Sequence, residues 1–113
     1  MRLKDIACCV IIDHRKLTEY ALSLSSPQGR NKAVVFERAL GFTQNNYIAL
    51  LEQIEEKVLD APATFHSEDE FGQRYTVDLT VCGTEGRQAV VRTGWIIPHG
   101  SDEARLVTLY VRR

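Results

Sequence analysis

Seven side chains in this sequence have the chemistry to act on a phosphodiester without a metal ion. They are Lys32, Arg30, Arg92 and Arg105 as cations, Thr93 and Thr108 as hydroxyl donors, and His66 as a proton carrier. Cleavage of RNA by its own 2′-hydroxyl requires one group to take the hydroxyl proton and another to protonate the leaving oxygen. It also requires fixed positive charge beside the pentacoordinate phosphorus. A helix-borne Lys32 beside sheet-borne Arg105 and Thr108 would supply charge and a donor, and His66 or His99 the proton transfers. The competing expectation is that Arg92 and Arg105 pair with carboxylates such as Asp78 across a sheet, leaving Lys32 a solvated helix residue. Neither histidine lies in a motif.

A second set is aromatic. Trp95, Tyr75 and Tyr110 would stack on bases if they lay on an open sheet face. Their alternation with Val77, Val91 and Leu106 argues instead for packing beneath helices. Metal sites find no support: His14, His66 and His99 are far apart in the chain, with no His-x-x-x-His and no cysteine at ligand spacing. No cofactor motif is present. Gly83-Thr84-Glu85-Gly86 lacks the lysine and the strand-to-helix context of a phosphate cradle and fits a hairpin.

The elements that must position these residues divide the chain in two. Ile6–Ile12, rich in β-branched residues, reads as a short buried strand or extended segment. Asp13 is placed to cap a helix over about His14–Leu24, with Leu17, Tyr20, Ala21 and Leu24 on one face. Ser25–Gly29 is a loop. A second helix is predicted over Asn31–Leu40, closed by Gly41, with the Val34-Val35 pair weakening it slightly. A third is predicted over Gln44–Leu59, where Tyr47, Leu50, Leu51, Ile54 and Val58 recur at helical spacing and Pro62 ends the run. A short edge strand is expected near Thr64–His66. Gln73–Cys82, Arg87–Ile97 and Arg105–Val111 then alternate as strands between glycine-containing turns. The sum is α+β: an N-terminal strand, three helices, then a three- to four-stranded antiparallel meander. Tyr75, Val77, Leu79 and Val81 form the face turned to the helices.

The 113 residues suit a single domain, and a 44% hydrophobic, 26% charged composition suggests neither disorder nor a membrane class. The net charge of −1 gives little long-range attraction to nucleic acid, but it is unevenly spread. Residues 1–51 carry seven basic and four acidic groups, residues 52–72 one and seven, and residues 73–113 six and four. Cys8, Cys9 and Cys82 are odd in number and lack a Cys-x-x-Cys, so reduced, buried thiols in a cytoplasmic protein are expected. Cys8 and Cys9, adjacent on a strand, would point to opposite faces. The apolar run Ile6–Ile12 is too short to span a bilayer, and no signal peptide pattern is present.

Three pieces of sequence resemble a bacterial domain family of about this length. They are the Lys16-Leu17-Thr18-Glu19-Tyr20 helix, the Gly29-Arg30-Asn31-Lys32-Ala33 segment running through Phe36 to Gly41-Phe42, and a tail. The tail has Phe71-Gly72 before Tyr75, then Gly83 to Gly86, Trp95, and Arg105-Leu106-Val107-Thr108. Phe71 stands where that family usually has tyrosine. The family carries no assigned activity. Its helices-then-sheet order looks like the small ribonuclease toxins of barnase, EndoU, colicin and RelE type, a likeness of layout that does not fix function.

Two functions are therefore expected. The first is a cytoplasmic interaction or accessory module with an unidentified protein partner, which needs no catalytic constellation. The alternative is a metal-independent ribonuclease of toxin type acting on RNA. Its catalytic residues would be Lys32, Arg105, Thr108 and His66, and its binding residues Arg30, Arg92, Thr93 and Trp95. An exposed sheet edge also makes a homodimer plausible.

Overall fold

The computed structural model describes residues 1–112. Its sheet has five strands: β1 (Cys9–Ile11), β2 (Thr64–Asp69), β3 (Gly72–Cys82), β4 (Gln88–Pro98) and β5 (Glu103–Val111). Their order across the sheet is β1-β5-β4-β3-β2. The last four strands form the expected antiparallel meander. The expectation of a purely antiparallel sheet is corrected by β1, which lies parallel to β5, Cys9–Ile11 beside Glu103–Arg105. An N–H of Cys8 to the Asp102 carbonyl at 2.8 Å secures that junction.

Two regular helices cover one face. α1 (Arg30–Leu40) buries Ala33, Phe36 and Leu40, and α2 (Tyr47–Lys57) buries Leu50, Leu51 and Ile54. Each trio follows the three- and four-residue spacing that puts side chains on one helical stripe. α1 ends where Gly41 turns left-handed at φ 76°, so that its own N–H and that of Phe42 meet the Glu37 and Phe36 carbonyls. The first predicted helix is a single wide π-helical turn over Leu17–Ala21, with the Leu22 N–H bonded to the Leu17 carbonyl. The wider winding breaks the 3.6-residue stripe expected for His14–Leu24. Leu17, Ala21 and Leu22 are buried, while Leu24 is exposed.

Tyr75, Val77, Leu79 and Val81 are buried against the helices, as their alternation predicts. Val91, Thr93, Trp95 and Ile97 continue that layer from β4. Thr93, fully buried, donates to the Val77 carbonyl at 2.7 Å and accepts from the Trp95 indole N–H at 2.7 Å. The one indole donor of the core is thereby satisfied.

The cysteines depart from expectation. Cys8 and Cys82 are exposed and Cys9 half-buried, all three unpaired. Cys8 lies just outside β1, so strand alternation does not separate it from Cys9, and the two sulfurs are 3.5 Å apart. Among the described residues, no helix is long and apolar enough to cross a membrane.

Thr93 should therefore behave as a polar keystone. Thr93→Val strands the Trp95 N–H in an apolar layer and should cost about 1–3 kcal/mol by denaturant titration, whereas Thr93→Ser, which keeps the hydroxyl, should cost less. A Thr93→Val loss no larger than that of Thr93→Ser would mean that the hydroxyl contributes no more than the methyl group does.

Candidate functional site

Among the described residues the second face of the sheet carries no regular helix, and its side chains fall in rows. One row runs Thr108, Gly94, Thr76, Thr64 across β5, β4, β3 and β2. Beside it run Tyr110, Arg92 and Asp78, and on the other flank Arg105, Ile96, Arg74 and Ser67. Strict alternation along β5 would have placed Leu106, Thr108 and Tyr110 together. A register shift prevents this: Trp95 pairs with Leu106 and Gly94 with Thr108, leaving Val107 as an extra residue. Beyond this bulge the faces exchange, so Leu106, Leu109 and Val111 are buried while Thr108 and Tyr110 face outward.

A cavity of about 310 Å³ opens on these rows, bordered by His66, Arg74, Thr76, Arg92, Thr108 and Tyr110. That is the low end of the roughly 300–1,000 Å³ common to small-ligand sites. Gly94 forms its floor; a Cβ there would lie 3.0 Å from the Thr108 methyl group. A bulge at Phe65–Ser67 shapes the β2 rim, where His66 Nδ1 lies 2.9 Å from the Ser67 hydroxyl.

Lys32 reaches this face from α1, around the edge of β5. Its ammonium donates to the Thr108 hydroxyl at 3.0 Å and to the Tyr20 phenol. It also lies 4.5 Å from the Tyr20 ring centroid and 5.6 Å from that of Tyr110. The hydrogen bond from Lys32 is the main cause that lowers the Tyr20 pKa from the ordinary 10.0, with Thr108 adding to it.

Arg92 faces Asp78 directly and holds it by two hydrogen bonds, at 2.9 and 3.1 Å. Arg112 adds a third, at 2.8 Å. The Asp78 carboxylate is thereby held below its usual range, first by Arg92; the Arg92 guanidinium is raised, first by Asp78 and then by the Tyr110 hydroxyl. The Arg92–Asp78 pairing matches the structural expectation raised from the sequence, yet Arg92 still lines the cavity.

The other sequence candidates are placed differently. Arg105 shares the open face but stands outside the cavity, loosely paired with Glu103 at 3.8 Å. Arg30 is exposed at the first position of α1. Thr93 and Trp95 are turned into the core, with their polar atoms bonded to each other. His99 lies at the far turn with Nε2 2.9 Å from the Asp69 carbonyl, and His14 lies 3.3 Å from the Tyr47 hydroxyl. Among the described residues there is no group of three or more His, Cys, Asp or Glu side chains able to hold a metal ion. The sequence reading passed over Tyr20, Arg74, Thr76 and Gly94 as site residues. Tyr20 alone had a signal, its place in the Lys-Leu-x-x-Tyr segment.

This arrangement of helices under a mixed sheet is the fold of a chain in the "Contact-dependent growth inhibition toxin - immunity protein complex from Klebsiella pneumoniae 342". The TM-score is 0.71 at 14% identity, over 90% of this chain and 99% of that one. No curated protein matches. Residues 2–113 match the family described as "Domain of unknown function (DUF6883)", and the chain belongs to it. The resemblance drawn from the sequence segments is borne out to that extent.

Carboxylates held by hydrogen bonds and ion pairs, on this face and elsewhere, fix a pH response. Asp78 (held first by Arg92), Asp69 (held first by the Phe71 N–H and then by Arg74) and Asp60 (held by Lys4) have lowered pKa values, and Asp13, beside Arg15, falls to about 2. Their folded-state values lie below the unfolded ones, so they contribute stability above the ordinary carboxylate value. That contribution is lost as pH falls through the lowered values. Tm should stay level above about pH 5 and fall steeply towards pH 2. Asp78→Asn should lower Tm at neutral pH and make the acid limb shallower; an unchanged acid limb would exclude Asp78 as a contributor.

Proposed function

We propose that this domain is a metal-independent ribonuclease whose reaction centre is the Lys32–Tyr20–Thr108 cluster on the open face. The observation that carries the reading is Lys32: its ammonium is bonded to Thr108 and Tyr20 at the rim of the cavity that His66 borders from the opposite side. A lysine left as a solvated helix residue would have no such convergence.

In this reading the scissile phosphate sits against Lys32 and the Thr108 hydroxyl, which stabilise the charge gathering on its oxygens. Tyr20, as phenolate, takes the 2′-hydroxyl proton; the freed oxygen attacks phosphorus, and the 5′-oxygen leaves with a proton from His66. The products are a 2′,3′-cyclic phosphate and a 5′-hydroxyl, so no water or oxidant is consumed. Arg92 and Arg74 hold neighbouring phosphate charge, and Asp78 orients Arg92. RNA as substrate implies action in the cytoplasm. Arg105, Arg30, Thr93 and Trp95 take no part in the chemical step.

The interaction-module reading keeps one support: the similar chain comes from a toxin–immunity protein complex, which suggests a protein partner here as well. Such a partner is compatible with a ribonuclease if it covers the same face.

The purified protein should cleave RNA in excess EDTA, with a cyclic phosphate product visible by ³¹P NMR. Lys32→Ala and His66→Ala should each lower kcat by about 10²–10⁴-fold with the fold intact by circular dichroism. Cleavage only with added divalent ions, or equal activity of the variants, would sink the reading.

Two further outcomes follow from the geometry. The wild-type rate should rise with pH on a limb below the ordinary tyrosine value of 10.0, because Lys32 lowers the Tyr20 pKa, and Tyr20→Phe should remove that limb. Gly94→Val should fill the cavity floor and raise KM; an unchanged KM in the folded variant would mean that the cavity does not receive substrate.

A further inference from the structure

A second hollow lies on the other side of Lys32. It is a groove of about 690 Å³ between α1 and β5, bordered by Asn31, Lys32, Val34, Val35, Tyr110 and Val111. We propose that this groove seats the nucleobase next to the phosphate held at Lys32, so that the protein binds single-stranded RNA on both sides of the scissile bond and cuts within a strand. The proposal rests on the ribonuclease reading and adds a substrate subsite to it.

Continuity is the first argument. Lys32 borders the groove and donates to Thr108 at the rim of the open-face cavity, while Tyr110 borders both hollows. A strand whose phosphate meets Lys32 therefore has one neighbour on the sheet face and the other over the β5 edge. Among the described residues β1 pairs only with Glu103–Arg105 and the remainder of β5 has no strand on that side; the Leu17–Ala21 turn packs beside it, and the groove is bordered by Tyr110 and Val111.

The lining chemistry is the second argument. Val34, Val35 and the Tyr110 ring offer apolar surface to a flat heterocycle, and the groove's charge is the Lys32 ammonium that a phosphate needs. Asn31 is exposed at the mouth and carries an amide with both donor and acceptor, the pairing that reads a base edge. Two β-branched residues on a half-exposed helix side are costly for helix formation. Val35 packs on the core cluster, while Val34 is half-exposed and lies off it, toward the groove. Bases splayed from a single strand match these hollows, whereas a stacked duplex would not enter either.

The test uses a labelled tetranucleotide with 2′-O-methyl riboses, which resists cleavage, read by fluorescence anisotropy at fixed salt. Abasic residues replace each base in turn. In the wild type, one abasic position beside the central phosphate should weaken binding by about 5- to 150-fold, the range for losing one stacked base. Asn31→Ala and Val34→Ser should weaken the intact oligonucleotide, and in them the penalty at that position should shrink towards none. Penalties unchanged in both variants would overturn the subsite while leaving a ribonuclease that still cleaves RNA. If the wild type neither binds the oligonucleotide nor cleaves RNA, the subsite and the ribonuclease reading fall together.

Discussion

The open face of this protein depends on one extra residue in β5. Val107 has no partner in β4, and the exchange of faces at that point is what turns Thr108 and Tyr110 outward. Without it, both would enter the helix-covered core, and the ammonium of Lys32 would meet neither the Thr108 hydroxyl nor the Tyr110 ring. The bulge is tolerated because residues on both sides of it remain buried. Ala104 and Leu106 pack before it, Leu109 and Val111 after it. Burial on the same face is thus kept at the two ends of the strand while the outer face gains Thr108 and Tyr110.

Lys32 depends in turn on how α1 is held. Ala33, Phe36 and Leu40 fix the helix beneath the sheet, and Lys32, next to Ala33, projects past the β5 edge. A longer β1 would pair further along β5 and close that path. The brevity of β1, which covers only Glu103–Arg105, is therefore part of the site's construction. Six of the acidic residues lie away from Lys32: Glu52, Glu55 and Glu56 are exposed on α2, and Glu68, Asp69 and Glu70 lie at the β2 edge and its turn, Asp69 there pairing with Arg74.

Much of this was legible in the chain. Core-facing alternation in Tyr75–Val81 and the helical spacing of Leu50, Leu51 and Ile54 are local patterns that the fold preserves. Gly41 ended α1 as expected because only a left-handed residue completes that cap. The Arg92–Asp78 pair followed from two strands read correctly. What failed was anything requiring register. A bulge leaves no mark in a run such as Arg105–Val111, where both alternations contain apolar residues. Thr93 and Trp95 looked like site residues by type, but they stand on the inward alternation of β4. The parallel docking of β1 and the π-helical turn that presents Tyr20 depend on contacts made far along the chain. Tyr20 and Gly94 are prominent only once Lys32 and Thr108 are adjacent.

The ion pair at Arg92 also bears on whether this face attracts anions. A lone arginine–aspartate pair is neutral at a distance. Here one carboxylate, Asp78, receives hydrogen bonds from both Arg92 and Arg112, and the group of three keeps one positive charge. Asp78 thus holds Arg92 in place without cancelling the field that two arginines and Lys32 create. Because Arg92 is anchored before any ligand arrives, little conformational entropy remains to be lost when a phosphate approaches. A chain of net charge −1 can in this way present a locally cationic surface, since Arg92, Arg112 and Lys32 stand against the one carboxylate of Asp78, while Arg74 is balanced by Asp69.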